Sequence, residues 1–153
     1  KGESMSVITL DILVEGIRRD DVLTWLSEFE NHTSIMDAAF PKSKTTSENV
    51  ISLPIQAGWK ARTLEYNFIG KDDSHGGRRV LVTTKGKRME GSLHYSLRTM
   101  KPSSNTMVTL HMDYNSGGVL GTVLKEDIQK NLEKYFKRAL EQVKHLIEKD
   151  LNS

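Results

Sequence analysis

The chain has 153 residues, 37% hydrophobic and 27% charged, enough for one domain with a sizeable core. Its 22 basic and 20 acidic residues leave a net charge of +2, too balanced to mark a nucleic-acid or anionic membrane surface. It contains no cysteine, which excludes disulfides, zinc–thiolate sites and a thiol nucleophile, and no apolar run approaches the roughly 20 residues of a membrane span.

Lys1–Ser4 stand ahead of Met5 and are expected to lie outside the domain, taken as residues 5–151. The first periodic stretch is SVITLDILVEG, where Ile8, Leu10, Ile12 and Val14 alternate with Val7, Thr9, Asp11 and Leu13, a strand pattern ended by Gly16. Asp20 then suits a helix N-cap, and Val22, Trp25, Leu26 and Phe29 recur at helical spacing. Asn31 and His32 read as an interruption, Thr33 as the cap of a second short helix to about Ala39, and Pro41 as its stop.

From there the period returns to two. Ile51, Leu53 and Ile55 form one strand; Leu64, Tyr66 and Phe68 the next; then Val80 and Val82, Leu93, Tyr95 and Leu97, and Val108, Leu110, Met112 and Tyr114. Turns fall near Gly58, in KDDSHGGRR, at GKR and in KPSSN. Centring the last turn on Pro102–Ser103 sets Leu93, Tyr95 and Leu97 opposite Met112, Leu110 and Val108, so both apolar sets share a face. A turn at Ala57–Gly58 sets Ile51 against Leu64 by the same reasoning.

After Gly117, Gly118 and Gly121 comes a stripe at three- and four-residue spacing: Leu120, Leu124, Ile128, Leu132, Tyr135, Phe136, Ala139, Leu140, Val143, Leu146 and Ile147. A helix of about 30 residues is about 45 Å long, more than twice the reach of a six-residue strand, so it must cross many strands. The three glycines are expected to make the strand-to-helix bend and a close helix–sheet contact, with a loop that moves to admit a ligand as the alternative.

Reactive groups are sparse. The register makes His94 and His111 cross-strand neighbours on the solvent face, with Asp113 two positions along; two imidazoles invite a metal, but a solvated pair is expected. His75 is expected in a solvated turn with Asp72 and Asp73, His32 in a capping or surface role beside a pocket mouth, and His145 on the charged helix face. Glu65 and Asn67 alternate with apolar neighbours and are expected to face solvent. Tyr66, Tyr95 and Tyr114 sit on the apolar face with hydroxyls that need partners, either core atoms or a bound molecule. The basic residues of GGRR with Lys85, Lys87 and Arg88 are expected on a solvated edge, and no interleaved aromatics suggest RNA.

The order strand, two short helices, strand run and long helix resembles the START-like superfamily, the helix-grip or polyketide-cyclase/dehydrase-like (SRPBCC-type) proteins. DDVLTWLSEFENHTSIMDAAFPK, the hairpin EGSLHYSLRTMKPSSNTMVTLHMDY and the glycines before the last helix carry the resemblance, which spans nearly the whole chain. It departs at Ser34, Ile35 and Met36, where many relatives have a tryptophan. The resemblance implies an α+β helix-grip fold, a bent antiparallel sheet of about seven strands around the C-terminal helix, often enclosing an apolar cavity.

It also implies binding of a small apolar or amphipathic molecule of the lipid, quinone, sterol or polyketide class; a cyclase or dehydratase, or an interaction domain with a filled core, are the alternatives. The expected walls are Ile55, Leu64, Tyr66, Phe68, Val82, Tyr95, Leu110, Met112, Tyr114, Leu120, Leu124 and Ile128, with Ile35, Met36 and Phe40 at the mouth. No catalytic residue, metal or cofactor is assigned, and a cytoplasmic monomer with no nucleic-acid partner and no integral membrane segment is expected.

Overall fold

The structure is a computed structural model of the chain and describes residues 5–57, 59–76, 78–117 and 123–152. In chain order the elements are β1 (Ser6–Val14), α1 (Arg19–Leu26), α2 (Phe29–Ala39), β2 (Lys44–Ser47), β3 (Val50–Ala57), β4 (Lys60–Asp72), β5 (Arg79–Gly86), β6 (Met89–Met100), β7 (Asn105–Ser116) and α3 (Lys125–Leu151). The strands form one seven-stranded sheet in the order β1-β7-β6-β5-β4-β3-β2. Every neighbouring pair is antiparallel. The bent sheet presents its apolar face to the helices, the expected α+β arrangement.

The last hairpin has the expected register: Leu93, Tyr95 and Leu97 face Met112, Leu110 and Val108. In the first, Ile51 faces Tyr66 and Leu53 faces Leu64, because the turn closes with Ala57 opposite Lys60 instead of centring on Ala57–Gly58. That shift of two residues leaves every side chain on its expected face. Strand β2 has no sequence signal: its four residues are all exposed at the sheet edge.

The short helices differ more. Helix α1 begins one residue before Asp20, after an extended Arg18 whose carbonyl accepts the N–H groups of Asp21 and Val22 at 3.0 Å. Asp20 and Asp21 therefore lie inside its first turn, where the helix dipole favours them. Asn31 and His32 do not interrupt a helix; they belong to α2. The Asn31 amide donates to Trp25 O at 2.8 Å and closes the end of α1 while its own backbone stays helical. Thr33 is likewise interior, its hydroxyl donating to Glu30 O at 2.6 Å.

Helix α3, 27 residues and about 40 Å long, buries Ile128, Leu132, Phe136, Ala139, Leu140, Val143 and Ile147 against the sheet and α2. Its second half is tied by polar contacts. The Lys144 ammonium donates to Leu13 O at 2.9 Å and to the Glu15 and Glu148 carboxylates at 3.0 and 2.7 Å. Glu148 also accepts the Glu15 N–H at 2.8 Å, and the Trp25 indole donates to Asp150 at 2.9 Å. Phe40 stacks on Tyr135 and meets Phe136 edge-on, with centroids 4.9 and 5.2 Å apart. Among the described residues no helix is long and apolar enough to cross a membrane.

Gly91 marks a close approach of β6 to β7 backbone. A Cβ built there collides with the Asp113 carbonyl oxygen and comes within 2.8 Å of Tyr114 Cα, so β7 backbone fills the place of a side chain. Backbone atoms cannot rotate aside as a flexible side chain would. Gly91→Ala is expected to lower unfolding free energy by about 3 kcal/mol or more, read by urea denaturation.

Candidate ligand site on the concave face

The residues expected at the wall and mouth of a cavity lie on the sheet's apolar face, on α2 and its C-cap and at the start of α3. Ile35, Met36, Phe40, Ile55, Leu64, Tyr66, Val82, Tyr95, Leu110, Met112, Tyr114, Leu124 and Ile128 are buried, and Phe68 is half-buried. Leu120, with Gly118 and Gly121, lies outside the described residues. The remaining glycine of that group, Gly117, donates its N–H to Arg88 O at 2.7 Å and joins the end of β7 to the β5–β6 turn. Helix α3 is held over β3 by the Asn131 amide, which donates to Gln56 O at 2.6 Å.

Strand pairing arranges the concave residues in rows. One row runs Ile51, Tyr66, Thr84, Gly91, Tyr114, Ser6 across six strands. It carries four hydroxyls, and all of its side chains are buried. The row on one side reads Phe68, Val82, Leu93, Met112, Ile8; on the other side lie Leu53, Leu64 and Met89. A polar belt thus crosses an otherwise apolar surface.

The belt is closed at one end. Tyr66 Oη lies 2.7 Å from His32 Nδ1 and 2.8 Å from Tyr95 Oη, and His32 Nε2 lies 2.7 Å from Leu26 O. His32 is fully buried, so its expected surface role is wrong, while its contact with Leu26 O, the last carbonyl of α1, is a capping contact. It shares a helix face with Ile35, Met36 and Ala39, at offsets of three, four and seven residues. That spacing was the available signal, obscured by reading Asn31–His32 as a break.

The proton order in this chain is determined. A carbonyl can only accept, so His32 carries its proton on Nε2 and donates to Leu26 O. Burial lowers the His32 pKa to about 4 despite the Leu26 contact, which pulls the other way. The neutral ring therefore accepts at Nδ1 from the Tyr66 hydroxyl, and Tyr66 in turn accepts from Tyr95. Burial also raises the pKa of both phenols and keeps them protonated. Rings close the surroundings: His32 lies 4.6 Å from Phe68 and edge-on to Tyr95 at 5.6 Å.

In its middle the belt is unpaired. Thr84 Oγ1 and Tyr114 Oη are buried without a hydrogen-bond partner among the described residues, as is Asn115 Oδ1 at the end of β7. Ser6 sits beside the Tyr114 phenol without a hydrogen bond of good geometry. Burial raises the Tyr114 pKa against the pull of Ser6, and the Glu133 carboxylate adds to the rise. Between Thr84 and Tyr114 stands Gly91, which contributes no side chain.

The other polar groups point away. His94 and His111 pair on the convex face as expected, their rings stacked at 5.3 Å. His111 Nε2 lies 3.4 Å from Asp113. Burial, Arg79 and His111 together lower the His94 pKa. Among the described residues no three His, Asp or Glu side chains converge to hold a metal. Glu65 faces outward, lining a convex cleft of about 580 Å³ with Arg62, Lys85 and Lys87. A second surface cleft of about 540 Å³ lies between Gly16, Arg18, Trp25 and Leu151. Neither includes an expected wall residue.

The buried histidine carries a signed pH dependence. Unfolded, His32 takes up a proton near pH 6.5; folded, it does so only near pH 4. Between those values the unfolded chain binds more protons, so stability falls as pH drops, with the full loss, about 3 kcal/mol, reached below pH 4. Urea unfolding of wild type and His32→Asn at pH 7, 5.5 and 4 reads this directly. The wild-type curve is expected to fall more steeply, and equal slopes would remove His32 as the cause.

No protein-family model matches the sequence, and no curated protein matches it. Solved structures do match. Norcoclaurine synthase from Thalictrum flavum, a point mutant in complex with a transition-state analogue, is 12% identical, with 98% of each chain covered and a TM-score of 0.71. A protein from Thermus thermophilus is 11% identical, covering 95% of this chain and 99% of its own at a TM-score of 0.66. The Zhui aromatase/cyclase from Streptomyces sp. R1128 is 13% identical, covering 95% of this chain and 94% of its own at 0.61. With the strand order and the gripped C-terminal helix, these likenesses show that the chain has the helix-grip, START-like fold of the polyketide-cyclase-like proteins.

Proposed function

We propose that this protein binds a small apolar or amphipathic molecule, of the lipid, quinone, sterol or polyketide class, between the concave sheet and the first turns of α3. The observation that carries the reading is the arrangement of the concave face. Apolar rows flank a belt of hydroxyls, and two of those hydroxyls have no partner among the described residues. Filled cores rarely leave such groups unpaired, because each buried unsatisfied hydroxyl costs roughly 1–3 kcal/mol.

The helix supports the same placement. Its second half is bolted to β1 and α1 through Lys144, Glu148 and Asp150, and its start carries the buried apolar Leu124 and Ile128 with one hydrogen bond to β3, from Asn131 to Gln56 O. Apolar burial at about 25 cal/mol per Å² would drive binding, and the belt would orient the ligand. The solved structures of like fold include a synthase in complex with a transition-state analogue and an aromatase/cyclase, so the fold accommodates small-molecule ligands. Binding is favoured over catalysis because both ring nitrogens of His32 are engaged by protein atoms, leaving its imidazole no free lone pair for a substrate. A monomer in the cytoplasm, in keeping with a chain without cysteine, completes the proposal.

Native mass spectrometry of gently purified protein is expected to show a reproducible adduct of lipid or polyketide mass. Thermal-shift screening against fatty acids, quinones, sterols and aromatic polyketides is expected to raise Tm with at least one class. An adduct-free spectrum together with a flat panel would remove the reading.

A further inference from the structure

The row Tyr66, Thr84, Gly91, Tyr114 contains two kinds of hydroxyl. Tyr66 both donates and accepts within the protein, and Tyr95 donates to it. Thr84 Oγ1 and Tyr114 Oη do neither among the described residues, although Thr84 is 3% and Tyr114 0% exposed. They flank the one position in the row that has no side chain, their strands two spacings or about 10 Å apart. A valine and a phenylalanine would fill the same volumes without a buried hydroxyl. The arrangement therefore suits a partner that arrives from outside the chain.

Charge narrows the partner's chemistry. Among the described residues the buried polar side chains apart from the tyrosines are Ser6, His32, Thr84 and Thr106, none of which is a lysine or arginine. His32 is neutral and committed to Tyr66 and Leu26, and Thr106 donates to Ile17 O at 2.8 Å. Among the described residues the Glu133 carboxylate acts on Tyr114 and pushes its pKa up, the direction that disfavours a further negative charge. A carboxylate or phosphate on the belt would be buried without a counter-charge, which is strongly unfavourable. A hydroxyl or carbonyl carries no such penalty, and each protein hydroxyl can turn to donate or accept.

We propose that Thr84 and Tyr114 form the polar end of the binding site, and that the site selects a molecule carrying an uncharged oxygen function (a phenol, an alcohol or a ketone) over the corresponding acid. This rests on the ligand-binding reading above and deepens it. It sets quinone, sterol and polyketide chemistry apart from free fatty acids and phospholipid headgroups.

Three probes of one ring system test it: naphthalene, 2-naphthol and 2-naphthoate, titrated into ¹⁵N-labelled protein at pH 7 and followed by amide shifts. 2-Naphthol is expected to bind about tenfold more tightly than naphthalene and at least tenfold more tightly than 2-naphthoate, the gain of a satisfied hydrogen bond. Thr84→Val and Tyr114→Phe should reduce the naphthol preference while leaving naphthalene affinity within about twofold, and the double variant should erase it. Their Tm should stay level or rise, since each removes a buried hydroxyl without a partner. Naphthalene binding with no naphthol preference, naphthoate binding as tightly as naphthol, or a clear fall in Tm in both variants would overturn the assignment of Thr84 and Tyr114. If none of the probes binds and the ligand panel is also flat, the broader reading fails and takes this one with it.

Discussion

The sheet that grips α3 depends on a constraint at Gly91, where β6 passes β7 with no side chain between them. At that point β7 backbone stands where a Cβ would be. Close backbone approach lets the middle strands curl more sharply than a pleated surface with full side chains allows. A second irregularity lies on β4, where the register shifts between Phe68 and Gly70 and Gly70 takes φ +115°. Ile69, at that shift, is turned to solvent. The concave face that covers α3 thus depends on glycine at two places, one for space and one for conformation.

The same approach shapes the polar belt. At 91 the row between Thr84 and Tyr114 is floored by β7 backbone in place of a side chain, with Val82, Leu93 and Met112 in the next row. At the α2 end, the hydroxyls of Tyr66 and Tyr95 are joined to His32 and through it to the last turn of α1. That chain runs in one direction, from Tyr95 to Tyr66 to His32 to Leu26. Reversing it by protonating His32 would leave the Tyr95 proton to find a new acceptor, so burial and hydrogen bonding both favour the neutral ring. A directed, saturated chain is a structural device: it fixes α2 on the sheet and holds Phe68 against the imidazole.

Much of this was legible in the sequence because the physics is periodic. Strand alternation from Ile51 to Tyr114 assigns the faces, and an error of two residues in the β3–β4 register does no harm, since parity is kept. The long stripe from Leu124 to Ile147 has one meaning on a helix. What escaped was carried by single residues. His32 looked like a break because Asn–His is a poor helix pair in isolation, whereas Asn31 caps α1 from within α2. Thr84 follows Val80 and Val82 in phase, yet a threonine at a strand end is easily read as a return to solvent. The role of Gly91 depends on where β7 backbone passes, which no local pattern encodes. Edge strand β2, exposed at all four residues, has no periodicity to detect.

Three tyrosines that look equivalent in sequence, each in phase with an apolar strand face, are therefore not equivalent in three dimensions. Tyr66 and Tyr95 meet because the curled sheet brings residues of different rows within 2.8 Å, and a histidine completes the pair. Tyr114 lies on the far side of Gly91, with Ser6 beside it and Glu133 acting from α3. A phenol there adds nothing to the core that phenylalanine would not, and leaves a buried hydroxyl in the balance. Selection for folding alone would not favour it. A buried tyrosine and a buried threonine whose hydroxyls lack partners among the described residues make sense when the group that satisfies them is bound, not built in.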